Sequence, residues 1–385
     1  MTLTEAPGSR RVHEIDAVRG FALAGILVAN IGFFADPGYA VGTGIMPITE
    51  GPVAYLISTL VLTKFYILFS FLFGYSFTLQ TRDGINIKAR MLRRSLGLFV
   101  IGLLHGLLLW VGDILTLYAV LGVILLAMRG ISPRKAVVTG CAIIGVMSVL
   151  WLLLAGLTLL DPATGTTAAT AAVTDAAAGA RAEALVTGGP LSFLSFQVET
   201  YPALAGMVWI GQGPMALAMF LFGLAAGRSR LFEEPARWAH LVPRVQWVGF
   251  GLGLPAAIFF AWASASGEGA LELVALALNN VTSVLLTAAY VVSLLQVLKR
   301  VPAVTGVLAP AGRVAASNYI GQSLLCCLVF TGYGLALAGR LSPLAVMGVA
   351  AVIYALLLGL SWWWLRSHRY GPIEYGLRRL TAGRG

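Results

Sequence analysis

Charge is scarce in this sequence. Asp, Glu, Lys and Arg make up only 11% of its 385 residues, against about 25% in an ordinary soluble domain. Hydrophobic residues reach 58%, and the mean hydropathy is +0.87. A water-soluble globule of this composition could not cover its own surface, and disordered or collagen-like chains are excluded by the same apolar content. Cysteine is nearly absent. Cys141, Cys326 and Cys327 all fall in apolar runs and two of them are adjacent, so a disulfide scaffold is excluded and all three read as small core residues. Histidine occurs four times, with His13, His240 and His368 in basic stretches, and no HExxH or CxxC pattern accompanies them, so no metal is expected. A phosphate-binding loop and a Gly-x-Ser-x-Gly elbow are missing too. The polar first ten residues lead into a long apolar span without a clear cleavage site, so no removed signal peptide is expected. What remains is a multi-pass membrane protein.

Long apolar runs are what the chain does contain. A bilayer core of about 30 Å takes about 20 helical residues. Stretches of that kind lie at 17–35, 54–79, 95–111, 114–128, 136–160, 204–226, 245–263, 273–297, 314–337 and 345–365. The expected fold is therefore an all-α transmembrane bundle of about ten spans. The third and fourth spans are short and joined by little more than Gly112 and Asp113, which predicts a tight hairpin with its turn outside. With a cytoplasmic N-terminus, nearly every Lys and Arg falls in an inside loop and only Arg181 and Arg340 fall outside, which places both termini in the cytoplasm. The net charge of +10 is then a topology signal with membrane lipids as partners, and nucleic acid is not expected. The chain reads as one integral domain: five helices over 1–160, an external Ala/Thr-rich loop over 161–200 with a short helix near 176–185, five helices over 201–365, and a cytoplasmic tail over 366–385. The halves show no internal repeat. A homodimer is compatible with this organisation.

Each polar residue inside a span needs a reason. Asp16 and Arg19 sit three residues apart. Arg19 shares a helical face with Asn30, roughly 16 Å further along at 1.5 Å per residue. A local ion pair with an interhelical Asn is one reading, and an inward stripe that binds an anionic group is the other. Lys64 lies about ten residues into an over-long apolar stretch; an external surface helix ahead of it would put it at the membrane boundary, which is the favoured reading. His105 interrupts a wholly apolar run and can serve as a general base, a proton relay or an interhelical hydrogen-bonding group. Asp113 follows at the hairpin, where it need not touch His105 and is well placed to cap the next helix. Asn318 and Gln322 are four apart with Tyr319 beside them, and suit either tight helix packing or recognition of a polar ligand. Glu374 and Arg378 read as a structural i,i+4 pair in an amphipathic tail. One polar cavity lined by Arg19, Asn30, His105, Asp113, Asn318 and Gln322, with Asp16 and Lys64 as further candidates, collects these residues.

Several blocks together carry a resemblance: Ile15-Asp-Ala-Val-Arg-Gly20 and the apolar run to Ile31, Phe69-Ser-Phe-Leu-Phe-Gly74, Gly102-Leu-Leu-His-Gly106 with Gly112-Asp-Ile-Leu115, the segment from Gly312 to Gln322, and Tyr370-Gly-Pro-Ile-Glu374. In this order, over nearly the whole chain, they resemble the YeiB family of bacterial inner-membrane proteins, the domain-of-unknown-function family numbered 418. That family is distantly similar to transmembrane acyltransferases, whose chemistry uses a membrane-embedded histidine. This chain departs from them in carrying Asn30 near where some place a histidine, which leaves His105 as the substitute. The resemblance implies a bacterial inner-membrane enzyme that moves an acyl group from a cytoplasmic donor of the acyl-CoA type, a co-substrate rather than a bound cofactor, to a small or cell-envelope acceptor. His105 and Asp113 would then be catalytic, and Arg19, Asn30, Asn318 and Gln322 would bind substrate. A transporter or exporter using the same cavity is the alternative, and a structural membrane partner without turnover is a third reading.

Overall fold

A computed structural model describes residues 7–41, 51–82, 86–160 and 176–382 of the chain. Every regular element among the described residues is helical. Eight helical stretches are long and apolar enough to cross a membrane, and Leu115–Ala127 and Ala315–Phe330 are shorter apolar helices. Together they match the ten expected apolar segments. The protein is an all-α polytopic bundle.

In chain order the helices are α1 (Pro7–Ala35), α2 (Gly38–Val41), α3 (Gly51–Leu60), α4 (Lys64–Thr81), α5 (Ile87–Leu108), α6 (Leu115–Ala127), α7 (Pro133–Leu160), α8 (Ala176–Thr187) and α9 (Pro190–Arg228). Then come α10 (Pro235–Trp238), α11 (Val242–Val248), α12 (Leu254–Ser266), α13 (Gly269–Arg300), α14 (Pro302–Arg313), α15 (Ala315–Phe330), α16 (Pro343–Trp364) and α17 (Pro372–Ala382). A 3₁₀ turn at Ala239–Leu241 and a π turn at Gly249–Gly253 join α10, α11 and α12 into one run.

Lipid tails are as apolar as leucine, so helices associate here through close packing at small residues. The crossing of α4 with α9 shows this. A Cβ on Gly74 would lie 2.1 Å from the Phe220 carbonyl oxygen, and one on Gly223 would lie 2.1 Å from that of Phe71. On the periphery, Val146, Leu153 and Leu157 of α7 stand exposed, as a lipid-facing helix requires.

Two groups of contacts mark the two ends of the bundle. At one end Arg82 donates to Glu233 and to the Gly227 carbonyl, Arg228 to the carbonyls of Arg129 and Ile131, and Glu374 accepts from α15. The start of α1 joins this end, because Gly312 packs against the backbone of Asp16. We call it the basic end. At the other end the Gly339 N–H donates to the Ala35 carbonyl, the Gly332 N–H to that of Val186, and Arg181 pairs with Glu199 at 2.8 Å.

The structure corrects several boundaries. Residues 161–175 lie outside the described residues, but the expected external loop over 161–200 ends earlier than proposed. Helix α8 occupies 176–187, and α9 begins at Pro190, whose missing N–H costs nothing in a first helical turn. The ninth span stops at Phe330 rather than 337, and α14 is an additional helix packed along α1. Cys326 and Cys327 are buried, but Cys141 is exposed on α7 and is not a core residue.

Candidate functional site

Helix α6 has only 13 residues, or about 20 Å at 1.5 Å per residue, two-thirds of a bilayer core. Counted from Arg129 at the basic end, α6 thus carries the α5–α6 hairpin only about two-thirds of the way across such a core. A polar turn at that depth persists only when protein surrounds it. Trp110, Val111 and Asp113 are all buried, with Phe34 stacked on Trp110 at a centroid distance of 4.4 Å. Gly102 lets the turn close onto α5, since a Cβ there would lie 2.7 Å from Asp113 Oδ2 and 2.6 Å from the Thr116 nitrogen.

This fold-back brings Asp113 to His105, which the sequence reading left apart. His105 Nδ1 lies 2.9 Å from Asp113 Oδ1, and His105 Nε2 lies 2.8 Å from Ser323 Oγ on α15. Asp113 Oδ2 also accepts from the Thr116 N–H at 2.9 Å, so the residue caps α6 as well. Relative exposure is 2% for His105, 0% for Asp113 and 4% for Ser323. A carboxylate only accepts, so Nδ1 carries a proton, and in the neutral imidazole Nε2 then accepts from the Ser323 hydroxyl. In that form acid, imidazole and hydroxyl make one directed chain, the arrangement a general base needs. Tyr319, one helical turn before Ser323, packs on the imidazole with ring centroids 5.0 Å apart.

A cavity of about 1450 Å³ runs along the other side of Tyr319. Ordinary small-molecule pockets hold about 300–1,000 Å³, so this one accommodates a large amphiphile or two ligands at once. At the basic end its wall carries Arg19, Arg90, Arg94, Arg313 and Arg378. Two carboxylates stand near them and both are engaged. Asp16 pairs with Arg19, which also donates to Ser76 Oγ at 2.6 Å. Glu374 accepts from the N–H groups of Ala316 (2.7 Å) and Ser317 (3.2 Å) and from Ser317 Oγ (2.5 Å), capping α15. The expected Glu374–Arg378 pair does not form; Arg378 lies over the Tyr370 ring at 4.7 Å. The surplus of guanidinium groups suits phosphate oxygens. Deeper in, the wall turns aromatic, with Phe65, Phe69 and Phe73, and then reaches Asn30 and Trp110. Among the described residues the Trp110 indole N–H has no hydrogen-bond partner, and Asn30 is half-buried.

The sequence-derived site is therefore divided. Arg19 and Asn30 line the cavity, while His105 and Asp113 sit directly behind its Tyr319 wall. Asn318 and Gln322 are elsewhere in the packing. Asn318 Nδ2 donates to the Ala311 carbonyl and to Ser361 Oγ, and Gln322 Nε2 to the Leu23 carbonyl, so each ties α15 to a neighbouring helix. Lys64 begins α4, about 26 Å along the axis from Thr81. A separate helix does precede it, as the boundary reading expected, but the side chain is enclosed by protein: it is 1% exposed, and its Nζ donates to the Ser58 carbonyl at 3.3 Å, at the C-terminal end of α3. The over-long apolar stretch is explained by the break at 61–63, where Thr63 has φ 69°. Ser323, Trp110, Arg90 and Arg94 were not singled out from sequence. Helical spacing held a signal for two of them: Ser323 is four residues after Tyr319, and Arg94 four after Arg90.

Comparison with known proteins now bears on the whole arrangement. Residues 226–384 match the family described as "Protein of unknown function (DUF418)". The chain is 28% identical to "Uncharacterized protein YxaH" of Bacillus subtilis, over 97% of this chain and 94% of that one. It is 28% identical to "Uncharacterized protein YeiB" of Escherichia coli, over 95% of each. These comparisons support the YeiB-like DUF418 family for this chain. A third relative, "Uncharacterized 39.9 kDa protein in amylase 3'region" of Bacillus acidopullulyticus, is 25% identical over 97% of this chain and 94% of its own length. The DUF418 match takes in Arg313, Tyr319, Ser323 and Arg378, whereas Arg19, His105 and Asp113 precede it. The near full-length relatives span both parts of the site.

Proposed function

We propose that this DUF418 protein is a membrane-embedded acyltransferase of the bacterial inner membrane, with its basic end in the cytoplasm as the positive-inside rule favours. The observation that carries the reading is the buried Asp113–His105–Ser323 chain directly behind the wall of an arginine-ended cavity. Arg19, with Arg90 and Arg94, holds the phosphates of a donor of the acyl-CoA type. The acceptor, a small molecule or a cell-envelope component, brings a hydroxyl or amine to the cavity near Tyr319. Its proton passes through the Ser323 hydroxyl to His105 Nε2 as the acceptor oxygen or nitrogen bonds to the acyl carbon. The carbon–sulfur bond of the thioester breaks, and the proton returns from His105 to the departing thiolate. Trp110, whose indole N–H has no partner among the described residues, and Asn30 beside the same cavity donate to the acyl oxygen as charge develops there. Asn318 and Gln322 act on this chemistry only through the position of α15. Tyr319 stands between His105 and the cavity, so transfer includes a side-chain movement of Tyr319.

The test uses the purified chain with labelled acetyl-CoA and candidate acceptors, beside His105→Ala and Ser323→Ala. Covalent product from the wild type, lost in both variants, supports the reading. Undiminished product in His105→Ala refutes it. An exporter is the second reading, favoured by one observation: the cavity reaches the break between α3 and α4, and discontinuous helices are where many transporters hold their solutes. Solute flux across sealed vesicles without covalent product would replace the first reading with this one.

A further inference from the structure

The cavity has a second opening, away from the basic end. Met207 and Ile210 of α9 line it, and they are 47% and 77% exposed, too open for residues enclosed by packed helices. Between and beside them, Gly206 and Gly211 also line the cavity, and a Cβ on either would meet no heavy atom within 4 Å. Elsewhere α9 is tightly packed: added Cβ atoms at Gly223 and Gly227 would lie 2.1 Å and 2.0 Å from α4 atoms. The gap is thus local to 206–211. Its depth follows from helical rise. Gly206 and Gly211 stand about 25–33 Å from Arg228, the basic end of α9, which is the level of the opposite leaflet. Trp151 of α7 and Leu276 and Asn280 of α13 line the same part of the cavity. The opening faces hydrocarbon and not water, because the surface around it carries Val146, Leu150 and Leu153, all exposed and apolar.

We infer that the acceptor is an amphiphile carried by the membrane, whose apolar chain enters sideways through the 206–211 gap from the leaflet opposite the arginines. The inference rests on the acyl-transfer reading for the word acceptor, but the entry route stands on its own geometry. A donor held at the arginine end and a lipid-borne acceptor from the far leaflet meet beside Tyr319, and a volume of about 1450 Å³ admits both, where about 300–1,000 Å³ holds one ordinary small ligand. A water-soluble acceptor would need no bilayer-facing opening.

The experiment reconstitutes the full chain in vesicles of phosphatidylethanolamine and phosphatidylglycerol containing a trace of phosphatidylethanolamine with a photoreactive diazirine in its acyl chain. After irradiation, adducts are mapped by mass spectrometry. Leu72 and Leu115 are buried residues on the cavity wall, whereas Val146 faces the bilayer and reports ordinary lipid contact. Adducts on Leu72 or Leu115 are expected in the wild type and lost in Gly211→Trp, with Val146 labelled equally in both. Gly206→Trp, in a second open position, is expected to behave alike, and size-exclusion profiles confirm that both fold. A cavity wall that is never labelled, or is labelled equally in both tryptophan variants, overturns the entry route. The two proposals fail separately. Interior labelling blocked by Gly211→Trp without any acyl transfer sinks the enzyme reading and keeps the route. Transfer to a water-soluble acceptor that continues unchanged in Gly211→Trp keeps the enzyme and sinks the lipid acceptor.

Discussion

Replacing Asp113 by Asn tests the site with the least change in shape. In the wild type both carboxylate oxygens accept, one from His105 Nδ1 at 2.9 Å and one from the Thr116 N–H at 2.9 Å. An Asn offers one accepting oxygen and one donating NH₂. The Thr116 N–H is fixed in the first turn of α6 and keeps the oxygen. The NH₂ then faces His105 Nδ1, which must give up its proton and accept. The proton moves to Nε2, which donates to Ser323 Oγ and is no longer a base. Transfer of labelled acyl groups is expected to fall about 10²–10⁴-fold, the usual worth of a positioned general base. Stability is expected to drop by about 1.5–3 kcal/mol, the range for a hydrogen bond to a charged group, which leaves a folded protein to assay. Nitrogen-15 NMR of histidine-labelled chain reads the tautomer, because protonated and unprotonated ring nitrogens resonate far apart. Asp113→Asn with wild-type turnover would refute the role given to the chain of hydrogen bonds. An unchanged tautomer would refute the geometry behind it.

Three further outcomes follow from the packing. In a Cys141→Ser background, single cysteines at Arg181 and Arg340 should be labelled by an impermeant maleimide from one face of the membrane, and cysteines at Arg230 and Arg369 from the other; a mixed pattern would contradict the two ends described. Glu374→Gln removes a charged acceptor from the start of α15, with an expected loss of about 0.5–2 kcal/mol, the range for helix caps, read as an earlier thermal unfolding midpoint in detergent. Gly223→Ala pushes a methyl against the Phe71 carbonyl and should cost about 1–3 kcal/mol, while Gly145→Ala on open surface should be neutral; equal midpoints for the two would argue against the α4–α9 crossing.

The ten apolar helical segments were legible because hydropathy measures each segment against lipid, one helix at a time, and no neighbour is needed for that sum. The same one-dimensional measure explains the errors. Residues 190–200 are polar enough to read as loop, yet Pro190 starts α9, because a helix leaving the bilayer stays helical without apolar residues wherever other protein supports it. Here α8 does so. Lys64 was placed at the membrane boundary because a lone charge in an apolar run is costly, and nothing in that reading foresaw its enclosure. Depth and burial are separate quantities, however. Lys64 is near the far leaflet in depth and still enclosed, held at the carbonyl end of α3 where the helix dipole favours a cation.

The site was half legible for a related reason. Sequence singles out a polar residue when its own span is otherwise apolar, so His105 and Arg19 stand out, and Ser323 does not, since a serine closes its hydroxyl onto a backbone carbonyl at little cost in any membrane helix. What gives Ser323 meaning is the shortness of α6. Thirteen residues cannot reach the far surface, so the hairpin turns at the depth of α15, and Asp113 must face protein because lipid there would leave a carboxylate unpaired. His105, four residues before the C-cap at Leu109, then donates to that carboxylate from one nitrogen while offering the other to the next helix. The length of one helix therefore decides which partner meets each ring nitrogen of a residue on another, and lengthening α6 by one turn should separate Asp113 from His105 while leaving each span as apolar as before.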